Sequence, residues 1–451
     1  MSAITANRQH AVVLGGSLAG LLAAKALSNH FQQVTIIEKD PVQDQAESRP
    51  GQPQTRHLHG LLTTGLNIIT DYFPDLPQAL VEQGAVICDP MLNTRWYTYG
   101  GYRQQFATGL SAVTMTRPLL EHLIRQRVLA LPQVELIDHT TVKELLTTPD
   151  HSQIKGVLIA QQGGKAAARP LAADLVIDAM GRNSQTPKWL QELGYDSAQE
   201  SRVEVNVSYA TRTYRRDPKA PLGQTWLINT PEAPKEDRFG VMFPVEGDRW
   251  IVSVGDWHGH GAPTDESGFL AFVRDLPSPE IYEILRQAEP LSAIIPFKYG
   301  FNQRRYYEKL HRFPEGYLVL GDAVCSFNPT YGQGMTVAAL ESVELERLLA
   351  ANIAPERLAH RFFQRIAKVV DVPWQMAIGE DFRHPQTTGA KPMGVDLLNR
   401  YVAWVHRATL RDVVVGEAFF KVMNLITPPI SLFHPRILWR VLSRGLLPQN
   451  L

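Results

Sequence analysis

Short apolar runs of strand length recur along this chain, and three of them stop at an acid. His10–Leu14 opens the pattern and passes into Gly15-Gly16-Ser17-Leu18-Ala19-Gly20, after which Ala19, Leu22, Ala23, Ala26 and Leu27 fall on one helix face. Val34–Ile37 follows and ends at Glu38. Leu175–Ile177 ends at Asp178, with Gly181-Arg182-Asn183-Ser184 just beyond. Tyr317–Leu320 runs into Gly321-Asp322, then Asn328-Pro329, Gly332 and Gly334, and an apolar helical pattern from Met335 to Leu349. A strand that turns through glycine into a helix N-terminus suits a bound anion or ring system. An unliganded strand-turn-helix junction has the same letters, but at the N-terminus the second strand and its acid complete a βαβ unit. Its parts suit a dinucleotide: a tight turn, close backbone approach to a pyrophosphate, and Glu38 for ribose hydroxyls. Ser17 takes the third position of the usual GxGxxG, where its hydroxyl could face a phosphate. Acids at the ends of three strands imply one sheet visited from both ends of the chain, with another domain inserted.

The remaining pattern fills in that domain and the flanks. Residues 40–55 are polar and contain proline, as in a surface loop, and a helix is expected from Leu61 to about Asp71. Thr116-Arg117-Pro118 starts a helix to about Val128; Arg117 at its mouth would meet a phosphate or close a surface ion pair. Strands are expected at 134–137 and 154–160, a hairpin turn at the Gly-Gly-Lys tract 163–165, and a helix at 188–193. Val203–Tyr209 alternates cleanly, and Glu246-Gly247-Asp248 separates two further strand runs, so residues 201–310 read as an antiparallel-sheet domain. Tyr209, Phe243, Trp257, Phe297 and Tyr299 are candidates to line a pocket under that sheet, with ordinary core packing as the alternative. Arg304 and Arg305 read as a helix returning to the first lobe. Arg357–Val370 is helical, and the stretch from Val413 to Leu442 is apolar but broken by Pro428, Pro429 and Pro435. It reads as a lid or packing arm; a peripheral membrane contact or a helical dimer surface is the alternative.

Composition narrows the function classes. The 451 residues carry 45 basic and 45 acidic side chains, which gives no general attraction to nucleic acid. Cys88 and Cys325 are the only cysteines, so a disulfide framework or a cysteine metal cluster is a poor reading. His57 and His59, in Arg56-His57-Leu58-His59-Gly60, have no metal-ligand partners at suitable spacing, and no metal is expected. Without a signal-peptide pattern or a membrane-length apolar run, the expected location is cytoplasmic.

With these motifs in order, residues 9 to 350 resemble the FAD-dependent group A monooxygenases of the p-hydroxybenzoate hydroxylase fold, nearest the branch of bacterial polyether epoxidases and related natural-product enzymes. The resemblance implies a Rossmann-like α/β FAD-binding domain in three parts, 1–90, 116–184 and 311–350. An inserted substrate domain would comprise 91–115 and 185–310, and a helical arm 351–451. It assigns FAD to Gly15, Gly16, Ser17, Leu18, Ala19, Gly20, Glu38 and Lys39, with Arg56 and Arg117 as basic contacts and Val142 at the adenine. Asp322 would hold the ribityl chain, while Gly321, Pro329, Gly332, Gly334 and Met335 would lie by the ring system. Asp178 matches the family's middle acid, though Ala179-Met180 separates it from the glycine. The implied reaction is epoxidation or hydroxylation of a lipophilic polyketide, terpenoid or aromatic by O2 through a C4a-hydroperoxyflavin, with no protein nucleophile. NAD(P)H would supply electrons directly or through a separate flavin reductase. Alternatives are a flavin-dependent reductase or dehydrogenase acting on prenyl or alkene groups, and an FAD-containing binding protein. The tryptophan signature of flavin halogenases (WxWxIP) is not found.

Overall fold

The computed structural model describes residues 8–163, 167–259 and 261–446; Gly164 and Lys165 of the expected hairpin turn lie outside them. Five parallel strands form the first sheet, in the order Tyr317–Val319, Leu175–Asp178, His10–Leu14, Gln33–Ile37 and Val134–Ile137. Their near-continuous apolar runs fit a sheet covered on both faces. Helix Leu18–Ser28 packs against helix Gly334–Ala350 and also meets helix Arg117–Leu129. Because the sheet is parallel, Glu38, Asp178 and Asp322 all emerge at its carboxyl edge, where ligands of open α/β sheets bind. The chain does visit this sheet from both ends.

Between the visits, a nine-stranded sheet is built around the long strand Glu200–Arg215, flanked by Arg249–Trp257 and Ile295–Arg305. It is mixed and not purely antiparallel, since Trp226–Asn229 pairs parallel with Thr94–Thr98. Arg304 and Arg305 are not helical. They finish strand Ile295–Arg305, paired to Ser201 and Glu200, and Arg305 Nε reaches the Glu200 carboxylate at 2.9 Å. Cross-strand pairing and this ion pair override the local pattern.

The C-terminal region is helical. Helix Pro355–Asp381 runs past the expected end at Val370 and through Pro373. One side of it, including Phe362, Phe363, Ile366 and Trp374, is buried, and that packing outweighs the hydrogen bond lost at proline. The extra turns carry Glu380 and Asp381 to the interface of the two sheets. Helices Val395–Ala408, Val413–Met423 and Pro435–Gly445 follow, with a small apolar core of their own around Val405, Val415 and Val441.

Candidate functional site

At Gly15 the chain leaves its strand with φ +104°, and a Cβ there would lie 2.7 Å from the Ala179 carbonyl oxygen. Gly20 packs so closely on the turn that its Cβ would lie 1.8 Å from the Gly15 oxygen. Only glycine fits this cradle. Ser17 N-caps the helix in extended conformation, and its hydroxyl makes no capping bond. The Glu38 carboxylate is pinned across the turn, accepting from Gly16 N at 2.8 Å and Asp40 N at 3.0 Å. Arg49 holds it from behind, with one guanidinium nitrogen 3.1 Å from Glu38 and the other 2.7 Å from Glu121. Burial pulls the Arg49 pKa down, but Glu38 and Glu121 override it and leave the guanidinium more firmly protonated than usual.

The second half of the site comes from the other end of the chain. Gly321 N donates to the Glu341 carboxylate at 2.6 Å where the strand ends, and Asp322 beside it opens onto a cavity. Burial within the molecule pushes the Asp322 carboxyl up, while Arg182 and Arg117 pull it down. Arg182 lies over the rings of Tyr299 and Phe301, at 4.5 and 5.0 Å from their centroids. Asn328 shapes the next turn: its Oδ1 accepts from Thr330 N at 3.2 Å and Thr330 Oγ1 at 2.8 Å. Asp381, fully buried, then ties three segments together. It accepts from Trp257 Nε1 at 3.2 Å, Asn302 Nδ2 at 2.7 Å, Asn328 Nδ2 at 2.9 Å and the Tyr331 hydroxyl at 2.7 Å. Burial still raises its pKa against those four donors.

One cavity of about 1180 Å³ joins the halves. Gly15, Ser17, Leu18, Ala19, Glu38 and Lys39 line it from the first sheet, with Arg117 and Val142 beside them. Gly321, Asp322, Pro329, Gly332, Gly334 and Met335 line it from the second turn. Tyr209, Phe243, Trp257, Phe297 and Tyr299 all reach it as an aromatic roof. Gly16 and Gly20 are buried behind the wall. Asp178 is not brought to the cavity: it is fully buried and accepts from Met180 N at 2.8 Å and from the Ser184 and Thr186 hydroxyls, so it shapes the turn that presents Arg182. Arg56 is exposed and outside the lining, because its short helical turn directs His57 inward instead. His57 bonds Thr211 Oγ1 at 2.8 Å and packs edge-on against Tyr209 and Phe297, and burial lowers its pKa to about 4. Among the described residues, no cluster of three or more His, Cys, Asp or Glu side chains has metal-binding geometry.

The cradle fits FAD on its own geometry: a glycine turn that a Cβ would fill, an uncommitted Ser17 hydroxyl, a fixed acid, and Arg117 with its buried Nε unpartnered. The description "FAD binding domain" belongs to the family model that matches residues 8–368. The chain belongs to this family. The FAD-binding chain is also 32% identical to Protein Rv3254 of Mycobacterium tuberculosis over 463 residues, covering 97% of this chain and 94% of the relative. Its fold is shared with the flavin-dependent brominase Bmp2 at 15% identity and a TM-score of 0.64, over 96% of this chain and 98% of that one. It is shared too with the tetrameric form of 2-methyl-3-hydroxypyridine-5-carboxylic acid oxygenase, at 19% identity and a TM-score of 0.62, over 82% and 90%. The family model makes the protein an FAD-binding protein, and its fold is the one these two flavin enzymes share.

Four site residues escaped the sequence reading. Arg49 sat in a stretch that looked like ordinary loop, and Asp381 lay beyond the expected end of its helix. Arg182 was visible only as part of the Gly181 turn. Glu380 lines the cavity, with Arg383 Nη1 at 2.9 and 3.2 Å from its two oxygens. Burial and the adjacent Asp381 push its carboxyl up to about 8, against the pull of Arg103. No local spacing marks it.

Proposed function

We propose that this FAD-binding protein is an oxidoreductase, a monooxygenase that adds one oxygen atom of O2 to a lipophilic natural product by epoxidising an alkene or hydroxylating an aromatic ring. The observation that carries this reading is that the aromatic side chains of the second sheet and the Pro329–Gly334 turn line one shared cavity. Bound FAD would supply the electrons and the activated oxygen. The chain's part is binding, placement and exclusion of water. The glycine cradle and Glu38 take the ADP portion, and Asp322 with the backbone from Pro329 to Gly334 takes the flavin portion. Trp257, Phe297 and Tyr299 offer apolar faces to a hydrocarbon or an aromatic substrate, which suits oxygen transfer governed by orientation. Phe419, Phe420 and Leu432 of the C-terminal arm wall the same cavity. Four carboxyls of the described residues line it: Glu38, Asp40, Asp322 and Glu380. The first two belong to the ADP portion and Asp322 to the flavin, which leaves Glu380 to exchange a proton with a substrate hydroxyl. NAD(P)H reduces the flavin on this protein or through a separate reductase.

The test is turnover of lipophilic alkenes and phenols by FAD-loaded protein under isotopically labelled O2, with NADH, NADPH or a flavin reductase as donor. Label in the product and substrate-dependent oxygen uptake are expected. Turnover without oxygen would instead select a reductase of prenyl or alkene groups. Flavin that binds but supports neither would select a binding protein.

A further inference from the structure

The C-terminal arm carries an apolar surface that the rest of the molecule leaves uncovered. Ten of the 14 exposed large apolar side chains among the described residues lie between Met393 and Leu446. Helix Pro435–Gly445 has two apolar faces. Ile437, Val441 and Gly445 point inward, and Gly445 packs so closely that a Cβ would lie 2.3 Å from the Trp404 carbonyl oxygen. Trp439, Leu442 and Leu446, three and four residues apart, point outward, with Trp439 73% exposed. The preceding turn adds Ile430 at 71% and Phe433, and helix Val395–Ala408 adds Leu397 at 73% and Leu398. These elements are locked together: Tyr401 stacks on Phe433 at 4.6 Å and donates to the Leu432 carbonyl at 2.6 Å. The surface is continuous with the cavity, since Leu398, Leu432 and Phe433 line it.

Charge says what covers this surface. Residues 391–446 contain eight Lys and Arg against three Asp and Glu, a net of +5 in a chain whose total is zero. Arg400, Arg436 and Arg444 are exposed, with no acidic partner among the described residues. A second copy seated face to face would set +5 against +5. An anionic lipid surface complements both features, with apolar side chains entering the acyl boundary and guanidinium groups meeting phosphates. None of the described helices is long and apolar enough to cross a membrane, so the contact is with the surface.

We propose that the arm docks on an anionic phospholipid bilayer through Trp439, Leu442, Ile430 and Leu397, ringed by Arg400, Arg436 and Arg444. The cavity then opens toward the lipid, and a lipophilic substrate enters from the membrane. Docking stands on the surface alone; substrate entry rests on the oxygenase reading above. The test uses the full-length FAD-loaded protein, without substrate, and sedimentation with vesicles of phosphatidylcholine alone or mixed with phosphatidylglycerol. Partition at least ~10-fold stronger onto the anionic vesicles is expected, with release at about 0.5 M salt. The double variants Trp439→Ser/Leu442→Ser and Arg436→Gln/Arg444→Gln should each lose ~10-fold or more in binding while keeping their flavin absorbance. Absent binding, equal binding to both vesicle types, or a dimer that the Trp439→Ser/Leu442→Ser variant dissolves would overturn the proposal. Oxygen chemistry is not measured, so failure of that reading leaves this result unaffected.

Discussion

Glu341→Gln isolates one buried proton. Glu341 is fully buried on helix Gly334–Ala350, where one oxygen accepts from Gly321 N and the other has no partner. Burial pushes its carboxyl up to about 8, the Gly321 bond pulls it down, and the nearby Asp322 charge pushes it further up. Because the folded value lies above the ordinary 4.5 of the unfolded chain, the folded state binds this proton more tightly. The resulting stability is present below 4.5 and is lost as pH rises toward about 8. At ~1.36 kcal/mol per pH unit the whole rise is worth about 5 kcal/mol, of which about 4 falls between pH 5 and pH 9. Relaxation and water entry make this an upper bound. Glutamine keeps the acceptor for Gly321 and cannot ionise. Wild type and variant should therefore agree within about 1 kcal/mol at pH 5, with the variant more stable by up to about 4 at pH 9. Urea unfolding across this range at a fixed excess of FAD measures the difference. Parallel stability profiles for the two proteins would refute the buried-proton reasoning.

Other substitutions test the rest of the site. Gly15→Val forces a branched side chain to φ +104° and against the Ala179 oxygen, so flavin occupancy after purification should collapse; an occupied variant would refute the close-approach reading. Asp322→Ala should weaken FAD binding by about tenfold to a hundredfold, the worth of hydrogen bonds to a charged group, as read by flavin fluorescence titration. Asp381→Ala strands the donors of Trp257, Asn302 and Asn328, at ~1–3 kcal/mol each, offset by relief of a buried charge. A net loss of about 2–4 kcal/mol is expected on chemical denaturation, with weaker flavin retention through the loosened Asn328 turn, and a smaller loss in Asp381→Asn.

Local order determined what the sequence could show. A parallel strand buried on both faces must be apolar, and a turn under a pyrophosphate must be glycine. The glycine turn after Leu14 with its acid Glu38, the turn at Gly321–Met335 and the return of the chain to one sheet are therefore legible letter by letter. The roof aromatics were legible as candidates because Val203–Tyr209 alternates and so declares a sheet with one inward face. Tertiary structure decided the rest, because it depends on which distant groups meet. Asp178 has the position of a ligand-binding acid, but the Ser184 and Thr186 hydroxyls claim it and bury it. Arg56 faces out while Arg49 reaches Glu38 and Glu121, a choice set by how a polar loop folds back. Asp381 meets partners 50 to 124 residues away in sequence, at the end of a helix that packing carries through Pro373. Spacing encodes faces and turns; Asp381 gains its four donors, and Glu380 its Arg383 partner, only when the fold assembles them.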